Sequence, residues 1–341
     1  MRKDSTLCQL IRQNLAERSW RTIESILDAT PSNHPRNLRK SDGDRDKALT
    51  AERKLAEGDV RSAARTLLSS DCFAPLNDHT KQELRSKHPP PAEAASRHLE
   101  ALQGPEVSQG HHVGASTISE AVRSFAVASG PGLDGLRPRH LRDMLDTTLP
   151  SSEKLLEELC TLAETAMDGR LPSHCLPIFY GANLTALKKK DGSIRPIACG
   201  LTLRRLVAKA AVTICRRSIK NAVAPYQVGV AVKGGAEAAV HAVRAFANSE
   251  GPPRVLVKLD FRNAFNTIRR DIFLEEIRAK VPELLPLAWQ TYKQPTLLSW
   301  RETLPLASTN GVQQGDPLGP ALFSLGISSL LARMESALKV W

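Results

Sequence analysis

Apolar residues fall at helical spacing over much of the chain. Leu7, Leu10, Ile11 and Leu15 keep that spacing, and Trp20, Ile23, Ile26 and Leu27 continue it until Pro31 and Pro35 intervene. Asp46 to Ser70 predicts a helical hairpin, with Gly58 ending the first helix and Asp59 capping the second. No second copy of this unit occurs, so a helical-repeat architecture is rejected. Pro89, Pro90 and Pro91 mark a stiff break, and Gln103 to Ser116 predicts a linker. An amphipathic helix is predicted over 151–168, closed by Gly169. A longer one is predicted over Leu201 to Val223, with Leu203, Leu206, Val207, Ala210 and Ile214 inward and a basic face of Arg204, Arg205, Lys209, Arg216, Arg217 and Lys220. Further helices are predicted after Gly234 and Gly235, over Arg269 to Lys280, between Pro282 and Pro286, and from near Pro320.

Two stretches break the helical rhythm. Leu184 to Ile197 (LTALKKKDGSIRPI) predicts a β-hairpin, because Asp191-Gly192 suits a tight turn between extended arms. Its arms carry Lys188, Lys189, Lys190 and Arg195, which fits a rigid ribbon over a polyanion and equally a solvated surface hairpin. The β-branched run Val255 to Leu259 predicts a buried strand that delivers Asp260 to its end. A carboxylate there suits a metal ion or the cap of the helix that follows.

Composition narrows the classes. The chain has 341 residues and a formal net charge of +11, which favours a polyanionic partner, nucleic acid before anionic membrane. Six scattered cysteines form no Cys-x-x-Cys pair, which indicates a reducing compartment. His111 and His112 are neighbours pointing apart and have no cysteine beside them, so they make a poor metal site. Neither a secretory leader nor a run of about 18 apolar residues is evident, so an intracellular protein, nuclear or cytoplasmic, is expected.

Taken in order, three motifs have a joint meaning. The basic hairpin ends Arg195-Pro196-Ile197; Asp260 is followed by Ala264 and Phe265; and GVQQGDPLGPALFSL begins at Gly311. Arg195, Asp260 and Gln314 are spaced about 65 and about 55 residues apart. This order resembles the reverse transcriptases of non-LTR (LINE-like) retrotransposons, over roughly residues 129 to 335. Ser129 to Leu141 resembles their Gly-Pro-Asp-Gly turn, with two extra residues between Pro131 and Asp134. Gln227 to Ala239 resembles their Gln-x-Gly-Phe segment, with Val230 in place of Phe.

The resemblance implies an α+β right hand: a helical region with linker over 1–115, an N-terminal extension over 116–180, fingers over 181–250 and a partial palm over 251–341, without a thumb. It implies template-directed dNTP addition to a primer 3′-hydroxyl, with RNA template and DNA primer as partners and two Mg2+ ions in the complete site. Asp260 would be the metal-binding carboxylate, helped by the carbonyl of Phe261. Arg195, with Lys188 or Lys190, would hold the triphosphate, Phe265 would exclude a 2′-hydroxyl, and Gln314 and Gly315 would pack against nucleotide and template base. The family's aromatic-Ala-Asp-Asp element does not occur after the Gln-Gly turn, where Met334, Glu335 and Lys339 stand. Asp316 belongs to the turn itself and is not a substitute. Asp260 alone leaves two cations short of oxygen ligands. A truncated, inactive copy is therefore expected. The alternatives are a non-catalytic RNA-binding module using the helix of Arg204 to Lys220 and the N-terminal helices, or an independent helical interaction domain over 1–115 beside a relic polymerase part.

The 341-residue polypeptide is expected not to extend a primer by itself. Primer extension with magnesium or manganese is the check, and incorporation that disappears in Asp260→Asn contradicts it.

Overall fold

The computed structural model describes residues 43–338 except 57, 59, 69–71, 106–109, 127–128, 190, 252–254 and 301–304. The helices expected around Leu7 to Leu27 and the cap at Asp59 lie outside the described residues. A compact unit takes in the described residues from Lys47 onward.

The helical hairpin forms as α1 (Gly43–Ala56) and α2 (Val60–Leu68). Gly58 at φ +79° makes the left-handed bend between them, where a side chain would be strained. Next come β1 (Cys72–Phe73), α3 (Asp78–Lys87) and α4 (Glu93–Ala101). Asn77 caps α3 by accepting from the Thr80 amide. The predicted linker gives way to α5 (Ala115–Arg123), followed by α6 (Pro138–Met144), α7 (Ser152–Met167) and the one-turn α8 (Leu176–Phe179). The basic hairpin is β2 (Ala182–Lys188) and β3 (Ile194–Gly200), turning through Gly192 at φ +81°.

The long basic helix expected over 201–223 is two helices, α9 (Thr202–Ile214) and α10 (Arg216–Val223), joined at Cys215. Then follow α11 (Gly235–Asn248), α12 (Ala264–Thr267), α13 (Arg270–Lys280), α14 (Leu285–Tyr292), β4 (Thr296–Ser299), β5 (Leu306–Ser308) and α15 (Gly319–Leu338). The result is helix-rich with one small mixed sheet, an α+β arrangement. No described helix is long and apolar enough to cross a membrane.

β2 is the centre of the sheet. One edge pairs antiparallel with all of β3, from Ala182↔Gly200 to Lys188↔Ile194. Its other edge is shared. β1 pairs with its end at Leu187 and Lys188, and β4 pairs in parallel with its start at Ala182 and Asn183. The alternating burial of β2 and β3 puts Leu184, Ala186, Ile194 and Ala198 on one face, against Leu84 of α3 and Trp300. The larger core lies among α5, α7, α9, α10, α13, α14 and α15, around Phe273, Tyr292, Leu206 and Leu322.

One expectation fails outright. Val255 to Leu259 is not a strand and not buried: Val255 is 82% and Val257 69% exposed, and the stretch is irregular through Asp260. β-propensity alone does not make a strand. A ladder partner must satisfy the amides, and the sheet built on β2 does not reach this segment.

Packing also crosses the boundary expected near residue 115. His98 of α4 lies 3.0 Å from Asp271 and 3.1 Å from Glu275 of α13. Lys293 donates to the Leu99 and Leu102 carbonyls, and Arg278 to that of Gln103. His111 is held between Asp168 and the Glu283 carbonyl, a structural role. Burial pushes the Asp271 carboxyl up, but the Arg269 hydrogen bond and charge, with His98, outweigh it and leave it below its usual range. A depressed folded-state value means stabilisation that is present above the unfolded value, about 3.9, and lost as pH falls through the folded value. Asp271→Asn should therefore cost about 1–3 kcal/mol at pH 7 and flatten the acid limb of stability in urea unfolding between neutral pH and pH 3. An unchanged acid limb would contradict this.

Candidate functional site

Three distant stretches of sequence meet at a solvent-open cleft. The hairpin contributes Lys189, Ile194, Arg195 and Pro196. Asn263, Ala264 and Phe265 form a second wall, and Gln314 closes the third side. Lys87, from the end of α3, also lines it. The ionisable groups of this lining are all cations: Lys87, Lys189 and Arg195.

Backbone bonds fix the walls to each other. The Ala198 amide donates to the Gln314 carbonyl at 2.6 Å, laying the Gln-Gly turn along β3. Gly315 has φ +115°, and a Cβ there would stand 2.5 Å from the Ala198 carbonyl oxygen, so only glycine allows the approach. The Val312 amide donates to the Phe265 carbonyl at 2.7 Å. A Cβ on Gly311 would meet that same carbonyl at 2.3 Å. Asn263 holds a left-handed conformation at φ 53°, which asparagine tolerates better than most residues. Its side chain accepts from Asn266 Nδ2 at 3.0 Å and donates to the Lys87 carbonyl at 2.8 Å. The Phe265 ring stacks on Phe323 at 5.3 Å between centroids.

Beneath the Gln-Gly turn lies a buried polar network. Arg204 Nη2 meets Asp316 Oδ2 at 2.7 Å, and both side chains are almost wholly out of water. The Tyr292 hydroxyl donates to the same carboxylate oxygen at 2.5 Å, and the Leu318 amide donates to the other at 3.0 Å. Arg204 Nη1 donates to Gln313 Oε1 and to the Tyr180 carbonyl, while Gln313 Nε2 donates to Thr296. Burial opposes the charge on Arg204, but Asp316 outweighs it and holds the guanidinium above its usual range. Burial together with the Asp316 charge drives the Tyr292 hydroxyl well above its ordinary value. Both effects follow from one carboxylate in a dry site.

Of the residues expected to matter, Arg195, Phe265 and Gln314 line one cleft, and Gly315 seats the turn beside it. Lys189 is the hairpin lysine in the lining. Lys188 occupies the last ladder position, opposite Ile194, and Lys190 lies outside the described residues. Asp260 is exposed and is not part of the lining, while Phe261 lies along a different surface groove with Phe323 and Arg333. Among the described residues no group of three His, Cys, Asp or Glu side chains converges on a cation site.

The basic face drawn on the helix after Leu201 needs correction. Arg204 is 3% and Arg205 8% exposed, so neither is offered to a backbone phosphate. Helical spacing marks faces but not the ion pair that lets an arginine go inward. Lys87 and Asn263 had no signal as site residues. Lys87 lies far upstream of the motifs, and Asn263 falls between two motif positions.

Residues 187–340 match the family model for reverse transcriptase (RNA-dependent DNA polymerase). The chain is 27% identical over 246 residues to the retrotransposable element SLACS 132 kDa protein of Trypanosoma brucei gambiense, covering 68% of this chain and 20% of that protein. It is 26% identical over 234 residues to the transposon TX1 uncharacterized 149 kDa protein of Xenopus laevis, covering 65% of this chain and 17% of that one. The chain thus spans about a fifth of the length of these curated relatives.

The buried network makes a quantitative claim. Arg204→Met leaves Asp316 charged and unpaired, and should cost about 3–5 kcal/mol in urea unfolding. Arg204→Met with Asp316→Leu should recover much of that loss. Additive losses in the double variant would contradict a coupled pair.

Proposed function

We propose that the reverse-transcriptase domain at residues 187–340, of the non-LTR retroelement kind, forms the nucleotide-receiving side of an RNA-directed DNA polymerase site. The observation that carries this reading is the meeting of Arg195, Phe265 and Gln314 in one cleft, although they come from three separate stretches. In the proposed assignment the hairpin belongs to the fingers and α12 to α15 to a partial palm. Arg195 with Lys189 holds the triphosphate through charge-assisted hydrogen bonds. Lys188, at the last ladder position, adds positive charge to the same ribbon. The Phe265 ring, braced on Phe323, stands where the sugar passes and leaves no room for a 2′-hydroxyl. Gln314 and Gly315 support the base pair being formed, on a turn anchored to β3.

Magnesium, when bound in such a site, activates the primer hydroxyl and neutralises the leaving group. The proposed ligands from this chain are the Asp260 carboxylate and the Phe261 carbonyl. They do not make up a set for two cations: each ion takes about six oxygens, and among the described residues no group of three His, Cys, Asp or Glu side chains is placed to hold one. No step of the chemistry is therefore assigned to the 341 residues alone, which bind and position a nucleotide, with RNA template and DNA primer as the proposed partners.

A non-catalytic RNA-binding role remains the competing reading, weakened by the inward turn of Arg204 and Arg205. Direct titration with dGTP and GTP separates the two. Wild type should prefer dGTP, and Phe265→Ala should narrow the ratio about tenfold, as expected for losing roughly 1.4 kcal/mol of discrimination. An unchanged ratio removes the sugar-gate role, and no nucleotide binding by wild type removes the reading itself.

A further inference from the structure

The cleft is completed from outside the matched domain. α3 ends at Lys87, about a hundred residues before the reverse-transcriptase match begins at 187. Two hydrogen bonds tie this helix to both sides of the cleft. The Ile194 amide donates to Glu83 Oε1 at 2.7 Å, which fixes the helix to the hairpin. Asn263 Nδ2 donates to the Lys87 carbonyl at 2.8 Å, which fixes its end to the turn before Phe265. Leu84, between those two bonds, is fully buried against the sheet. Helix position, register and end are thus all set by the two walls it joins.

The side chain at that end is a lysine. Lys87 lines the same cleft as Lys189 and Arg195, and it also lines the neighbouring groove with Ser86, Arg262 and Thr267. Three cations from two chain segments, the hairpin and the end of α3, repel one another around one opening. That cost makes sense where a polyanion enters. Glu83, one turn earlier, has one carboxylate oxygen committed to the Ile194 amide.

We propose that Lys87 is a binding residue for the polyphosphate of the ligand in this cleft, so that α3 is a working part of the site and a brace between its walls. This rests on the reading of the cleft as a nucleotide site. An ammonium suits the role, because it is a compact positive charge on a flexible four-carbon stem that can reach a phosphate group. The competing account is that a basic residue in the last helical turn merely offsets the helix dipole. Arg85 occupies that same last turn, is exposed and does not line the cleft, so it serves as a control.

The test is titration of the whole chain with inorganic tripolyphosphate at two salt concentrations, alongside thermal melts. Lys87→Met should weaken binding about tenfold and flatten its salt dependence, with an unchanged melt. Lys87→Arg should restore most of the affinity, Arg195→Ala should lose at least as much, and Arg85→Met should bind as wild type does. Wild-type affinity in Lys87→Met beside a loss in Arg195→Ala overturns the role of Lys87 and leaves the cleft reading standing. Wild-type affinity in both variants, or no binding by wild type, overturns both. A lowered melt with equal affinity in Lys87→Met assigns Lys87 to the helix dipole and also overturns the proposal.

Discussion

The buried pair between Arg204 and Asp316 is the contact on which the rest of the site depends. It joins the first helix after the basic hairpin to the turn that follows β5, bridging more than a hundred residues of sequence. Its worth lies in specifying an arrangement. A buried ion pair brings little net stability over a well-packed apolar pair, but leaving one member alone is costly. Every alternative seating of the Gln-Gly turn would strand a charge in a dry core. Tyr292, Gln313 and the Leu318 amide fill the remaining hydrogen-bonding positions, so the network is closed. With Asp316 held from below, Gln314 and Gly315 have one way to lie against β3.

Two other constraints act on the same cleft from the sides. Gly311 and Gly315 let backbone approach backbone where any side chain would collide. α3 spans the hairpin and the Asn263 turn and hydrogen-bonds to both, so the two walls are tied to one helix. Arg270 extends this logic to the back of the site. Fully buried, it donates to the carbonyls of Gly311, Tyr292 and Ser308, and burial pushes its guanidinium down to about 10, still charged at neutral pH. The described residues around Asp260 are irregular and exposed. Val255, Leu256, Val257 and Leu259 stand exposed, with Val240 and Val243 of α11 also in solvent.

Much of the architecture was legible in the sequence. The 3.6-residue rhythm located α7 and α13, and Asp191-Gly192 located the β2–β3 turn, because these depend on neighbours a few residues away. The ordered motifs resembled the reverse-transcriptase family whose model matches residues 187–340, and Gly311 and Gly315 of the last motif sit where backbones approach closely. The failures have a common physical cause. Val255 to Leu259 had the composition of a strand without a ladder to join. The helix after Leu201 had a basic stripe whose first two arginines found partners inside. β4 and β5 had no signal strong enough to see.

The sequence by itself determined where many of the helices lie, where the hairpin turns, and the order of motifs that resembles a known family, because propensity, turn chemistry and glycine geometry are local. Only the tertiary structure decided which of those residues share a cleft. It brought Arg195, Phe265 and Gln314 together, left Asp260 outside in solvent, turned Arg204 inward, and added Lys87 from a helix with no motif at all. The reason is that burial and charge pairing are settled by contacts between distant segments. A side chain's partner across a hundred residues leaves no mark on its own neighbourhood.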